Sequence, residues 1–441
     1  MATYPVAPSG SITASTVSPS RARSTVVAAS LGTFIEWLDY ASYAYLATTL
    51  SGVFFKDSDP AVALLQTFGV FALSFLMRPF GGLFWGHFGD RIGRRRTLTI
   101  SIVGMGGATA LIGVLPSYAV IGVGAPAILL ILRMTQSFCA AGEYSGAAVL
   151  LAEHAPKDRR ARWVSAVPIS TASGFLIASF LVTLLAGLLS DDAMHGWGWR
   201  VPFLLTIPLT ALAWSLRRRV DESPDFRKLQ DAESVEDAPL RDGLVKHWRP
   251  MLRMLCVMSV NASGYYLVLT YMATYIQTEL GLSSFRSSFI VTTALVAYLP
   301  LLYVGAQLSD RIGRRKVLLI NCALFLILSY PAFVILGSVG VVGILLIQVL
   351  LVAVFSLNDG TFATYFVEGF PTNVRFTGFA LPFNIGVAIF GGTSPLIAAW
   401  LIQETGNDYV PAFLIMAFAL LGAIALLTDR DTNSQSGGME K

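Results

Sequence analysis

Long apolar runs alternate along the chain with short polar, charge-bearing stretches. Twelve runs stand out, at 25–50, 61–86, 97–115, 121–152, 163–188, 200–216, 251–278, 286–308, 317–337, 340–367, 376–402 and 409–427. A helix rises about 1.5 Å per residue, so about 20 mainly apolar residues cross a bilayer. Each run is therefore read as one membrane-crossing helix, with 200–216 and 409–427 short for the task. The first run holds Glu36 and Asp39 and is too long for the apolar core of a signal peptide, so it is read as a retained span.

One stretch breaks the alternation. Residues 217–250 carry sixteen charges in 34 residues, eight basic and eight acidic. They read as a solvated loop between two sets of six spans. The expected organisation is a disordered cytoplasmic tail (1–24), a six-helix bundle (25–216), the charged loop (217–250), a second six-helix bundle (251–427) and a short cytoplasmic tail (428–441).

Composition agrees with this pattern. Of 441 residues 54% are hydrophobic and 13% charged, and the mean hydropathy is +0.64. Soluble domains carry roughly 25% charged residues. The deficit excludes a soluble enzyme, a nucleic-acid binder and a disordered chain. Cys139, Cys256 and Cys322 lie inside apolar runs and form no disulfide framework. The four histidines show no metal-ligand spacing, and neither a phosphate-binding Gly-rich loop nor a nucleophile–base pair is evident. No metal and no cofactor other than a coupling proton is expected.

Charge placement orients the chain. With both termini inside, about 26 of the 31 basic residues fall on the inner side. Only Lys56, Arg200 and Arg286 fall outside, and Arg78 and Arg133 lie within spans. Basic residues concentrate on the cytoplasmic side, so a multi-pass plasma (inner) membrane protein with both termini cytoplasmic is expected.

The two halves also repeat. Gly89–Leu98 reads GDRIGRRRTL and Ser309–Leu318 reads SDRIGRRKVL, with Asp90 and Asp310 separated by 220 residues. Glu153, Pro156 and Arg160 return as Glu368, Pro371 and Arg375 at an offset of 215. Parallel repeats of this kind place a substrate site between the halves near the bilayer midplane.

These motifs carry a family resemblance. Gly86-x-Phe88-Gly89-Asp90-Arg91-x-Gly93-Arg94 resembles the signature of the loop between spans 2 and 3 in the major facilitator superfamily. Leu129-x-x-x-Arg133-x-x-Gln136 resembles its fourth-helix motif. The runs 32–40, Arg78-Pro-Phe-Gly-Gly82, Gly142-Glu143-Tyr144-x-Gly146-Ala147, 197–203 and 377–380 are similar to the metabolite:proton symporters, which include proline/betaine, citrate, α-ketoglutarate and shikimate transporters. Ser137, Ala141 and Ala306 stand where the family usually has Gly, and none of them removes a charge. The resemblance implies an all-α fold of twelve transmembrane helices in two six-helix bundles. It also implies alternating access, and a cytoplasmic gate in which Asp90, Arg91, Arg94 and Glu153 work with Asp310, Arg311, Arg314 and Glu368.

Ionisable groups inside spans are costly and usually functional. They are Glu36, Asp39, Arg78, Arg133, Glu143 and Asp359. Glu36, Asp39 and Tyr43 share one helix face at i, i+3, i+7. Asp39 lies 14 residues into its run and Arg133 lies 12 residues into its own, so both sit near mid-bilayer and should pair. Sugar–proton members of the superfamily couple through an Asp in helix 1 and an Arg in helix 4, and Asp39 and Arg133 resemble that pair. In the first half three carboxylates face two arginines, so one must be held by protonation in the low-dielectric interior. Asp39 with Arg133 is the leading proton-coupling pair, and Glu36 and Glu143 are the rival carriers.

Polar and aromatic groups cluster on spans of both halves. Arg133, Tyr40, Tyr43, Gln136, Tyr265, Tyr266, Asn358, Asp359 and Asn384 form the expected substrate site, with Trp37 and Asn261 beside them. A guanidinium suits a carboxylate, and aromatic faces suit a quaternary ammonium. This pattern favours a zwitterion or monocarboxylate. Arg78, nearer the cytoplasm, is set aside as a ligand. The expected function is proton-coupled uptake of a small carboxylate or zwitterion by a monomer in the lipid bilayer, with no nucleic-acid partner. A proton antiporter and a non-transporting sensor are the alternatives. The tail after the last run is short, which argues against the coiled-coil osmotic control of some proline/betaine members.

Overall fold

The computed structural model describes residues 19–55, 59–92, 94–155, 157–218, 239–370 and 375–428. The expected loop core at 219–238 and the tails at 1–18 and 429–441 lie outside them. Every described element is helical. Among the described residues ten helices are long and apolar enough to cross a membrane. The other two apolar runs are also helices. Span 1, Pro19–Tyr45, carries Glu36, Asp39 and several tyrosines, which lower its apolarity. Span 3, Arg94–Gly113, is apolar only over Thr99–Gly113.

Several boundaries move. The first helix starts at Pro19, inside the stretch expected to be a disordered tail. Span 6, read as short, forms one crossing from Asp191 to Leu216, because Asp191–Gly198 adds helical turns ahead of Arg200. The helix of span 7 begins at Pro239, inside the expected charged loop, with its apolar part at Trp248–Thr278. Helical geometry there outlasts the apolar pattern, which marks only the part that meets lipid.

Span 6 has a π-helical segment near its start, Met194–Gly198, and further backbone irregularities fall on spans that meet at the centre. Span 2 breaks at Leu76–Met77 and restarts at Arg78, because Pro79 lacks the N–H needed to continue the ladder. Span 4 breaks at Ala141–Gly142 and restarts at Glu143, whose carboxylate suits a helix N-terminus. Spans 7 and 11 hold π-helical segments, Gly264–Tyr271 and Val387–Gly391. Wider turns of this kind often sit at functional positions, and broken helices in membranes occur where they face protein or a cavity.

The halves meet along four seams. Trp37 of span 1 stacks on Tyr265 of span 7 at 5.5 Å. Ser179 and Thr183 of span 5 hydrogen-bond Thr292 of span 8. Arg78 of span 2 donates to Asn384 of span 11, and Tyr144 of span 4 stacks on Phe383 of span 11 and Phe362 of span 10. Large apolar side chains such as Phe80 and Leu188 stay exposed on the outer surface, where a bilayer would cover them.

Candidate functional site

The buried charges of the first half form two pairs. Arg133 Nη1 lies 2.9 Å from Asp39 Oδ2, and both side chains are almost fully buried. Gln136, one turn on from Arg133, completes the unit. Its amide donates to Asp39 Oδ1 at 3.0 Å and to Thr109 at 2.7 Å, while its carbonyl accepts from Arg133 Nη1. Both oxygens of Asp39 are thus satisfied. Arg133 uses one nitrogen for all of this, and its Nε and Nη2 are buried without a hydrogen-bond partner. The rings of Tyr43 and Tyr40 face the guanidinium at 4.4 and 5.0 Å. Their hydroxyls bond to the Thr67 carbonyl and to Ser137, so these two tyrosines contribute ring faces to the site.

The second pair is less saturated. Arg78 Nη2 meets Glu36 Oε1 at 2.8 Å. Glu36 Oε2 and Arg78 Nη1 are buried without partners. Arg78 also lies against Trp37, Tyr40 and Phe75 and donates to Asn384 Oδ1 of the other half at 3.3 Å. Asn384 in turn donates to the Ala141 carbonyl at the break in span 4. Sequence depth alone set Arg78 aside, yet here it reaches across the interface. Glu143 accepts from Ser101 at 3.5 Å.

The second half contributes one buried carboxylate, Asp359. Tyr265 and Tyr298 donate to its Oδ2 at 2.6 and 2.7 Å, and Asn261 donates to Oδ1 at 3.2 Å and to Asn358 at 3.1 Å. No lysine or arginine is ion-paired with it among the described residues.

Between the halves lies a void with room for about a single water molecule. It is lined by Trp37, Tyr144, Asn261, Tyr265, Tyr266 and Phe383, together with Met258, Ala262 and Val387. Trp37 Nε1, Tyr144 OH and Tyr266 OH are buried without partners. Of the expected substrate residues, Tyr265 and Tyr266 line this void, whereas Arg133, Gln136, Tyr40 and Tyr43 form the neighbouring charge cluster. Tyr144 was absent from the expected site, although it sits in the quoted Gly142-Glu143-Tyr144 motif. Thr109, the second acceptor for Gln136, gave no signal beyond being a polar residue in an apolar run.

The halves touch on both sides of the void. On the outer side Tyr45 donates to the Leu269 carbonyl and Thr48 to Gln277. On the inner side Asp310 accepts the backbone N–H groups of Ala161 and Arg162 and the Arg162 guanidinium at 3.1–3.2 Å, and pairs with Arg314 at 2.8 Å. Glu368 pairs with Arg160 at 3.2 Å and with Arg314 at 3.3 Å. The carboxylates of the second half thus reach the start of span 5 in the first. Arg160 and Arg162 were not among the expected gate residues, and Arg311 is exposed. The side chains of Asp90, Arg91, Arg94 and Glu153 lie outside the described residues.

A bundle of membrane-crossing helices with paired charges at its centre, a small void lined mainly by aromatic side chains and an ion-paired rim is built as a secondary transporter. The chain belongs to the major facilitator superfamily, whose sequence profile matches residues 29–381. Its relatives place it among that superfamily's metabolite:proton symporters, a family of transporters and not of enzymes. It is 35% identical over 421 residues to the proline/betaine transporter of Escherichia coli (strain K12), covering 93% of this chain and 84% of the relative. It is 36% identical over 426 residues to the ectoine/proline transporter of Corynebacterium glutamicum, with the same coverage. It is 34% identical over 426 residues to a glycine betaine/proline/ectoine/pipecolic acid transporter of Dickeya dadantii. In structure it is similar to a D-xylose–proton symporter, with a TM-score of 0.72 at 19% identity over 92% of this chain and 97% of that one. At that identity the likeness establishes the fold.

Proposed function

We propose that the protein is a proton-coupled symporter for a small zwitterion carrying a carboxylate and a cationic nitrogen, of the proline, betaine or ectoine type. It would sit in the plasma membrane with both termini cytoplasmic, and its halves (25–216 and 251–427) would rock about the void as a monomer. The observation that carries this reading is the unpartnered edge of Arg133. Nε and Nη2 form the fork that matches a carboxylate, and they are left open while Nη1 holds Asp39.

The coupling follows from counting bonds. While Arg133 holds Asp39, the carboxylate is neutralised as an ion pair. A substrate carboxylate that draws the guanidinium away leaves Asp39 with Gln136 alone, and a proton then restores its neutrality. Substrate and proton thus favour each other's binding, which is symport by linkage. The aromatic void would supply the other pole, since the rings of Trp37, Tyr265 and Tyr266 line it and aromatic rings suit a cationic nitrogen. Asp310 and Glu368 would hold the cytoplasmic gate shut through Arg160, Arg162 and Arg314. Asp90, Arg91, Arg94, Glu153 and Arg311 are proposed to serve the same gate on the strength of the repeat.

A second carrier is favoured by one observation. Glu36 Oε2 is buried with no donor, and a proton can reside there without breaking any bond. Glu36 is therefore the first alternative to Asp39, ahead of Glu143.

Thermal unfolding of the purified protein tests the substrate class. Glycine betaine, proline or ectoine at saturation should raise the midpoint by several degrees through mass action. Stabilisation by citrate or α-ketoglutarate, with none by the zwitterions, would overturn the reading.

A further inference from the structure

Asp359 has no assignment in the coupling scheme above. It is fully buried in span 10 and held by three neutral donors from spans 7 and 8, with no cation paired to it among the described residues. Three neutral donors converge on this carboxyl, and an ionised carboxylate, with about four lone-pair sites, accepts all of them. A buried anion without a countercharge is unfavourable unless something positive arrives.

Two of its three partners line the void. Tyr265 donates its hydroxyl to Asp359 and turns its ring to Trp37, Phe175 and the void, and Asn261 does the same with its amide. A phenol hydrogen-bonded to a carboxylate has a more electron-rich ring, and the face of that ring is what meets a cation. Trp37, Tyr144 and Tyr266 line the same void, and Trp37 Nε1 and the Tyr144 and Tyr266 hydroxyls are buried and unpartnered. The arginines belong to the first half and this carboxylate to the second, so the site has a positive and a negative pole on opposite sides of the interface.

We propose that Asp359 is the positioning residue for the substrate's cationic nitrogen, acting through Tyr265 to make the wall of the void in the second half the negative pole of the site. The inference rests on the zwitterion reading above and sharpens it. A substrate lying between the poles ties one half to the other only if it carries both charges. A plain monocarboxylate of the same shape engages the arginine pole alone and is discriminated against.

The test uses two molecules that differ in one atom and one charge. Glycine betaine and 3,3-dimethylbutyrate share a carboxylate and a bulky trimethyl head, with N+ in the first and carbon in the second. Their affinities for the reconstituted full-length protein are measured by competition or by thermal shift. The wild-type chain should prefer glycine betaine. In Asp359→Asn that preference should fall roughly tenfold, through weaker betaine binding, while 3,3-dimethylbutyrate binding stays within about twofold. Tyr265→Phe keeps the ring but removes its link to the carboxylate. It should lower the preference in the same direction, and it decides the matter if Asp359→Asn does not fold. An unchanged preference in these variants overturns the role of Asp359 and leaves the zwitterion reading standing. A wild-type chain that binds both molecules equally overturns the zwitterion reading and this inference with it. Equal loss for both ligands would mark a merely structural role and also overturns the inference.

Discussion

At Arg133 a single guanidinium nitrogen serves Asp39 and Gln136 and leaves the carboxylate-matching edge open. Replacing it with Lys keeps the charge but removes the fork. Arg133→Lys should raise the KM for a carboxylate substrate by roughly 10- to 100-fold, read from initial uptake rates. The paired charges also stabilise the fold unequally when broken. Removing one member of a buried pair costs about 3–5 kcal/mol because it strands the other. Arg78→Met should therefore lower the thermal midpoint sharply, and adding Glu36→Gln should restore much of it. No restoration would show that Arg78 is held by its aromatic and Asn384 contacts instead. The Asp39–Arg133 pair was legible because rise per residue fixes depth, and opposite charges at one depth in a bilayer seek each other. The same measure set Arg78 aside as a ligand and gave no sign of its reach across the interface. Depth says nothing of lateral direction, and the break at Leu76–Met77 turns its side chain toward Trp37 and Asn384.

Among the helices, apolar length located the spans well and their ends poorly. The helix of span 7 continues into a charged stretch that hydropathy read as loop, because hydropathy reports lipid contact and not backbone geometry. The breaks in spans 2 and 4 have sequence causes, Pro79 and Gly142, whereas the π-helical segments in spans 7 and 11 left no trace in the hydropathy pattern. Those segments set Tyr265 and Tyr266 side by side on the void. Gly391, at the end of the second one, makes this possible, because a Cβ there would come within 2.5 Å of the Tyr266 ring. Gly391→Ala should push that ring toward the void. Overpacking of this kind costs about 1–3 kcal/mol, and here it should fall on binding, seen as a raised KM with surface expression unchanged. An unaltered KM would mean that the ring gives way on its other side.

On the scale of the whole molecule, the halves are held together on both sides of the void, and the inner seal is the more ionic. Asp310 is nearly buried and accepts from two backbone N–H groups and two arginines. Arg160 and Glu368 are partly exposed, so their pair contributes less. Asp310→Asn should shift the population toward the inward-open state, with a change in the equilibrium of roughly 5- to 100-fold. The labelling rate of a cysteine placed on the inner side of the void, in a background lacking Cys139, Cys256 and Cys322, should rise accordingly. The repeat announced Asp310 and Glu368, but it could not announce Arg160 and Arg162 as their partners. Those contacts join opposite halves, and a repeat only shows what the halves have in common.

The central claim, that substrate and proton cross together through Asp39, is tested most directly in proteoliposomes with a pH indicator and no imposed gradient. Adding glycine betaine or proline outside should make the external medium more alkaline as protons accompany the substrate inward. Asp39→Asn should abolish that signal while still exchanging labelled for unlabelled substrate. External acidification, or a proton signal in Asp39→Asn equal to that of the wild-type chain, would contradict the account.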